Sequence, residues 1–340
     1  MRMNLDIVWV HFGDKIPKYL VNNLKRARAI FPDLDLNLIT DCKNLSDIPD
    51  GVSVSRPIES VEMHRINEAL GHPKNFRSNF WFHAIARFLV LDQFVQKRNR
   101  PLIHFESDIL IAKDFPFGIF NNEIKKIAFP VVSRERAIAS VVFLPNSDAS
   151  RALSKFALEE VLRNPQTSDM LILRAFYDSH PEMCQELPIC SSNLVNFKCE
   201  AFDKFFVRNE SAFKSFKGII DGNDFGVYFF GSDPRNARGR IYFGREVELN
   251  LIHTSRFKIR YNEAREFVDA VDDSGEVTRL FSLHLTSKSP EAFSISRGAS
   301  YLRKACERTN YPNEKLLWRI VTTQGLKALL RRIKILSRES

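Results

Sequence analysis

The segment His104-Phe105-Glu106-Ser107-Asp108-Ile109-Leu110-Ile111 places two carboxylates, Glu106 and Asp108, two residues apart in an apolar run. In a plain strand both would point to the same face. At the end of a buried strand they would form a hard, oxygen-rich site. Mg2+ and Mn2+ prefer such sites, usually one or two carboxylates completed by substrate phosphates. An acid-x-acid pair at a strand end can equally be two solvated side chains, and shape alone leaves both readings open. Other residues of suitable type are His11-Phe12-Gly13 at the end of an apolar run, Arg77, Arg87, and His284 with Lys288 four residues later. Acids for proton transfer are Asp169, within Thr167-Ser168-Asp169-Met170, and Asp221 and Asp224 around Gly222. The Ser168-Asp169 pair would also serve as an ordinary helix start. His64, His72, His83, His180 and His253 show no ligand spacing such as HExxH and read as structural.

The elements that must position these residues follow from periodicity. Leu5 to Val10 reads as a buried strand, and Leu20, Leu24, Ala27 and Phe31 recur at helical spacing after Pro17. Leu34, Leu36 and Leu38 alternate with polar residues as a second strand, and Val52 to Val54 makes a short third. A long helix is expected from about Phe76, with Phe80, Ala84, Phe88, Leu91 and Val95 on one face. Strands are expected at 101–105, 127–132 and 140–144, and a helix over 148–163. Strands alternating with helices indicate an α/β fold with a mainly parallel sheet. Ligands of such sheets sit at the carboxyl ends of the strands, where His11-Phe12-Gly13 and Glu106-Ser107-Asp108 both fall. Residues 178–290 are less regular, with strand-like runs at 240–243 and 280–285, and the chain beyond about 291 reads as helical.

Four segments together resemble metal-dependent, nucleotide-sugar glycosyltransferases of the GT-A fold, of the bacterial polysaccharide and lipopolysaccharide type. Glu106-Ser107-Asp108 is similar to their DxD motif. FRSNFWFHAIARFLVLDQF resembles the helix leading into the DxD strand, with Arg87 at its usual basic position. DGNDFGVYFFGSDPRN, residues 221–236, resembles the D…GqYl.G.dPrn stretch, and LFSLHLTSK, residues 280–288, the LHiHsK stretch. The resemblance spans roughly residues 5–290 and implies a Rossmann-like, mixed but mainly parallel sheet flanked by helices.

By that resemblance, Asp108 binds Mn2+ or Mg2+ directly, Glu106 binds it through water or holds the ribose, and His284 is a metal or phosphate ligand. Lys288 contacts the diphosphate. His11, Phe12, Gly13 and Ser107 line the nucleotide pocket. Arg77 and Arg87 meet phosphate or hold Glu106. Asp169, in a segment similar to tDM.lL, faces donor sugar and acceptor; Asp221 and Asp224 rank after it as acids that could line the acceptor side. The sequence departs from the family pattern at Glu106 (Glu for Asp), Val227 (for Gln) and Thr286 (for the second His).

Composition narrows the rest. Hydrophobic residues at 44% and charged residues at 27% exclude a disordered or coiled-coil chain, and 29 Phe against 3 Trp and 7 Tyr predict a Phe-rich core. The five cysteines form no CxxC, which excludes a zinc ribbon or disulfide framework and indicates a reducing compartment. No apolar run reaches the roughly 18 residues of a membrane span, and the N-terminus reads as a strand, not a signal peptide.

Of the net charge of +9, +7 lies between Lys315 and Arg338 without an acid, leaving +2 elsewhere. That distribution argues against a nucleic-acid-binding body. The organisation expected is a catalytic domain over 1–290 and a basic amphipathic helical tail over 291–340. The tail would either lie on the inner face of an anionic membrane or pack on the domain with its basic face solvated. The partners expected are a nucleoside-diphosphate sugar, with UDP favoured, and a glycan or lipid-linked acceptor. Two alternatives differ in class. A phosphatase of the haloacid-dehalogenase type would need a nucleophilic Asp after its first strand, where this chain has Glu106 after a hundred residues. A non-catalytic relative would bind nucleotide or glycan without transfer.

Overall fold

The computed structural model describes residues 3–133, 135–191, 203–222, 225–226 and 257–309. In chain order the elements are β1 (Asp6–His11), α1 (Lys18–Ile30), β2 (Asp35–Thr40), β3 (Val52–Ser55), α2 (Val61–Ala69) and α3 (Phe80–Arg98). Then come β4 (Leu102–Phe105), β5 (Ile109–Ile111), α4 (Phe117–Asn122), β6 (Ile127–Pro130), β7 (Val141–Leu144), α5 (Ser147–Arg163), α6 (Asp169–Ser179) and β8 (Cys184–Leu187). The last are α7 (Asp203–Phe216), β9 (Phe257–Asn262), β10 (Phe267–Asp272), β11 (Val277–Arg279), β12 (Ser282–His284) and α8 (Gly298–Thr309).

Seven strands form one sheet in the order β3-β2-β1-β4-β7-β6-β8. β7 runs antiparallel to both neighbours, and the other four pairs are parallel. The sheet is therefore mixed and mainly parallel, with helices on both faces, as expected. Both faces are buried, which parallel strands require. The α1 side packs Leu20, Leu24 and Ala27 against Ile7, Trp9, Leu36 and Leu38. The α3 side packs Ile85, Phe88, Leu89 and Val95 with Val8, Val142 and Leu144. The Phe-rich core is present: the Phe115 ring lies 5.2 Å from Phe105 and 5.6 Å from Phe120, which lies 5.5 Å from Phe143. Covering both faces also buries Asn37, a polar position in the alternating pattern of β2. Its amide donates to Asp6 Oδ1 at 3.2 Å and to the Ile7 carbonyl.

Three expectations change. The long helix begins at Phe80, not near Phe76, because Arg77, Ser78 and Asn79 all lie in the left-handed region (φ 48°, 56° and 66°). A right-handed helix cannot contain that run. Second, β4 stops at Phe105, so Glu106 and Asp108 belong to a tight turn before β5 and do not share one strand face. The Ile109 amide donates to the Glu106 carbonyl at 3.1 Å to close that turn. Third, residues 178–290 contain β8 and a separate three-stranded antiparallel sheet, β11-β10-β9. Helix α8, the start of the expected tail, packs Leu302 and Cys306 into a cluster with Phe257, Ile259 and Phe293. Residues 310–340, which carry the basic run, lie outside the described residues, as do the strand-like 240–243 and the GVYFFGSDPRN stretch beyond Gly226.

The two-stranded pair β5-β12 links the sheet's edge to the site. Its antiparallel register sets His284 opposite Ile109, and the Leu285 amide donates to the Asp108 carbonyl at 2.8 Å. Behind β12 lie Gly222 and Gly226, one turn apart. A Cβ at Gly222 would stand 2.6 Å from the Ser282 carbonyl oxygen, and one at Gly226 would collide with the His284 carbonyl. Gly226→Ala must therefore displace β12. It is expected to cost about 1–3 kcal/mol, read as a fall of several degrees in Tm; an unchanged Tm would show that this close approach has slack.

Candidate active site

Helix α1 holds the acidic turn with a row of polar side chains. Tyr19, Asn23 and Arg26 recur at the i, i+4, i+7 spacing that shares one helix face. Tyr19 Oη lies 3.3 Å from Ser107 Oγ. Asn23 donates to the Ser107 and Ile109 carbonyls at 3.2 and 2.8 Å, and Arg26 to the Ile111 carbonyl at 2.5 Å. From the far side, the Glu106 amide donates to the Ser140 carbonyl at 2.9 Å. None of these α1 residues stood out in the sequence. The available signal was their position as a polar stripe beside the apolar Leu20-Leu24-Ala27 face.

Held this way, Glu106, Asp108 and His284 converge, with one ligand atom from each within 4.8 Å of the others. The carboxylate oxygens divide their work. Glu106 Oε1 accepts from Arg87 at 2.6 Å, while Oε2 faces His284 Nε2 at 3.6 Å. Asp108 Oδ2 meets the Lys288 ammonium at 3.2 Å, while Oδ1 lies 3.4 Å from the same Nε2. Arg87 also donates to Asp169 Oδ2 at 2.8 Å, so its fork bridges Glu106 to the first residue of α6. Ser168 caps that helix by accepting from the Leu171 amide, so the segment is a helix start and a charged contact at once. Asp221, buried, accepts from Ser140 Oγ at 2.7 Å and adds its field to His284. Asp224 lies outside the described residues. Arg77 has its guanidinium over the Phe76 ring at 5.1 Å; Glu106 is held by Arg87.

The residues expected to line a nucleotide pocket lie at the sheet's carboxyl edge as well. Gly13, at φ +129°, donates its amide to Asp41 Oδ1 at 2.8 Å. Phe12 stacks on His83, with centroids 5.0 Å apart. The sequence reading set His83 aside as structural and passed over Asp41. The His11 ring meets the Lys15 carbonyl at 3.0 Å. Burial lowers its pKa, opposed by that hydrogen bond and by Asp41, while Lys288 lowers it further. Buried His104 is neutral as well. Burial, and then the Arg87 charge, push it well below its ordinary value, and its Nδ1 lies 3.1 Å from the Val8 carbonyl.

The electrostatics favour a cation at the convergence point. Burial alone would lower the His284 pKa, but Asp108 and then Glu106 and Asp221 raise it to about 9. Burial opposes ionisation of Asp108, yet His284 and Lys288 hold its pKa below the usual carboxylate range. For Asp169 burial dominates and raises the pKa, despite Arg87. Among the described residues, the carboxylates of Glu106, Asp108, Asp169 and Asp221 thus gather around Arg87, Lys288 and His284. The paired carboxylates hold the His284 proton in place, and a divalent ion would take that proton's role. Glu106 Oε2, Asp108 Oδ1 and His284 Nε2, which face one another, are the oxygen and nitrogen donors that Mn2+ accepts, so the residues present fit such an ion.

No family profile matches the sequence, and no curated protein matches it significantly. Among solved structures it is similar to the galactosyltransferase LgtC in complex with donor and acceptor sugar analogues. The identity is 13%, over 92% of this chain and 99% of that one, with a TM-score of 0.46. It is also similar to mouse xyloside xylosyltransferase 1 in its apo form, at 11% identity over 60% of this chain and 93% of that one, TM-score 0.38. A third is the PaToxG glycosyltransferase, at 12% identity over 52% and 69%, TM-score 0.37. At these scores the likenesses assign no role to any residue here.

Two outcomes follow from the geometry. Arg87→Met leaves Glu106 and Asp169 without their shared cation and is expected to cost about 3–5 kcal/mol. Arg87→Lys, a point charge that cannot fork, should recover only part. A Tm unchanged in Arg87→Met would refute the bridge. The second concerns pH in the presence of chelator. The folded-state pKa of His284 lies above its unfolded value of 6.5, at about 9. Its contribution is therefore complete below pH 6.5 and lost as pH rises to about 9. Tm should fall over that interval in the wild type and stay flat in His284→Gln. Saturating Mn2+ should remove the fall, since the ligating imidazole must be neutral. Parallel pH profiles for wild type and variant would dispose of the charged-imidazole assignment.

Proposed function

We propose that this chain is a metal-dependent glycosyltransferase that moves a sugar from a nucleoside-diphosphate sugar, UDP-linked by preference, to a glycan or glycolipid acceptor. The observation carrying the reading is the convergence of Glu106 Oε2, Asp108 Oδ1 and His284 Nε2 beside Lys288. It sits at the carboxyl edge of a mainly parallel sheet, where α/β folds bind their ligands. That convergence of two carboxylates and an imidazole supports a resident Mn2+ or Mg2+, held by these three residues. That ion would neutralise the charge gathering on the diphosphate leaving group.

The protein's own groups take the remaining work. Lys288 sits beside Asp108, where it can bind the leaving phosphate. The Gly13 turn, braced by Asp41, offers an edge for the nucleoside, with Phe12, His11 and Ser107 around it. Arg87 orients Glu106 and keeps Asp169 aimed toward the same space. Asp169 is the residue assigned to the transferred sugar and the acceptor hydroxyl, with Asp221 and Asp224 as second choices for the acceptor side. In the transfer, an acceptor oxygen bonds to the anomeric carbon as its bond to the diphosphate breaks. The hydroxyl proton leaves to a nearby base. The basic run from Lys315 to Arg338 is the proposed contact with an anionic membrane when the acceptor is lipid-linked.

Thermal stability against nucleoside diphosphates, with and without Mn2+, tests this directly, because a ligand that binds the native state raises Tm by mass action. A rise with one nucleotide that needs the metal and disappears in Asp108→Ala is the expected result. No rise with any nucleotide at millimolar concentration would overturn the reading. Binding without release of free nucleoside diphosphate from the matching nucleotide sugar would leave a non-catalytic relative.

A further inference from the structure

The start of α3 carries an aromatic group that the site described above does not use. Phe76 and Phe80 are exposed, at 39% and 40% of their surface, although each is a large apolar side chain. Their rings pack edge to face, 6.2 Å apart, and both adjoin Trp81. Trp81 in turn stacks on His72 at 4.6 Å, and His72 is fixed by the Thr167 carbonyl at 2.8 Å. Thr167 immediately precedes Ser168 and Asp169, so the aromatic group is tied to the same helix start that carries Asp169.

Its direction follows from helical spacing. Phe80, Ala84 and Arg87 stand at i, i+4 and i+7 and share one face of α3. The lower end of that stripe binds Glu106 and Asp169. The upper end presents Phe80, about 10 Å further along the axis at 1.5 Å per residue. Phe80 therefore continues that face two turns from the Arg87 fork, with Phe76 packed edge to face beside it, and His83 of the same first turn stacks on Phe12. The rim is polar and carries the Arg77 cation, with Lys74 two residues before Phe76. Asn79 donates to Asn67 at 2.9 Å, and the Arg77 guanidinium covers the Phe76 ring.

We propose that Phe76 and Phe80 are the stacking wall of a saccharide subsite, which takes the terminal pyranose ring of the acceptor. A pyranose has one face of C–H groups and an equator of hydroxyls. The aromatic ring face is negative and attracts the weakly positive C–H face, while carboxamides offer both donors and acceptors to hydroxyls. The proposal rests on the transferase reading and specifies where its second substrate binds.

The test uses the full chain with Mn2+ and UDP, and a panel of methyl pyranosides (glucoside, galactoside, mannoside, N-acetylglucosaminide). It is read by saturation-transfer difference NMR. At least one pyranoside should receive saturation at its ring C–H protons at millimolar concentration. Phe80→Ala and Phe76→Ala should weaken its apparent affinity about five- to tenfold, and Phe80→Tyr should restore it. The metal-dependent rise in Tm with nucleotide should be the same in all variants. No saturation of any pyranoside, or equal saturation in the alanine variants, overturns the subsite while leaving the nucleotide result standing. Loss of the nucleotide effect in Phe80→Ala would reassign the wall to the donor and also overturns the proposal. Failure of nucleotide binding in the wild type, with saturation still dependent on Phe80, would sink the transferase reading instead.

Discussion

Everything at the carboxyl edge of this sheet answers to one constraint: four carboxylates share a largely buried space. An ionised carboxylate is tolerated there only if cations and hydrogen bonds replace its lost water. Arg87 meets two of the four with one planar fork, which fixes the distance between the β4-β5 turn and the start of α6. Lys288 meets the third. The Ser140 hydroxyl and the charge on His284 meet the fourth. These groups come from β7, α3, the turn after β4, α6 and the chain around β12, so the site is also a set of tertiary struts. A metal ion would replace the His284 proton in this balance, which couples binding of the ion to release of a proton.

Holding charges in place demands a stiff frame, and the frame is mostly backbone. The β5-β12 register fixes His284 relative to Asp108. Gly222 and Gly226 allow a helical turn to lie directly on β12, where any side chain would intervene. On the opposite side the α1 stripe of Tyr19, Asn23 and Arg26 takes up carbonyls that the short β5 cannot satisfy alone. The acidic turn is thereby pinned from two directions. The carboxylate oxygens facing His284 are pre-aimed and need no large rearrangement on ligand binding.

Much of this was legible in the sequence because it is local. Apolar runs and helical spacing located β1, α1, β2, β4, α5 and α6 to within a few residues. The acid-x-acid pair and the His284-Lys288 spacing marked residues that the fold brings together across 180 positions of chain. Less legible were features that exist only through tertiary contact. Asn37 looks like the polar half of an alternating strand, yet it is buried because helices cover both faces. His83 and Asp41 carry no spacing signal, since their partners, Phe12 and Gly13, lie on another element. The three-stranded sheet of β9 to β11 was legible in part: Phe-Lys-Ile-Arg-Tyr-Asn alternates apolar and polar residues, with Phe257 and Ile259 buried and Lys258 and Arg260 exposed, a period-2 signal that the sequence reading passed over.

The same contrast explains the misplaced start of α3. Periodicity saw an apolar stripe continuing upstream to Phe76 and extended the helix to include it. The chain instead leaves the helical path over Arg77, Ser78 and Asn79, all left-handed. Left-handed backbone costs non-glycine residues roughly 1–2 kcal/mol each, so the turn is not a default of the sequence. It has to be held by what surrounds it: the Asn79-Asn67 contact and the packing of Phe76 against Phe80 and Trp81. In a continuous helix Phe76 would already neighbour Phe80 at i, i+4. The left-handed turn keeps that neighbour while the Trp81 ring stands 6.2 Å from Phe76 and the Arg77 guanidinium lies over it.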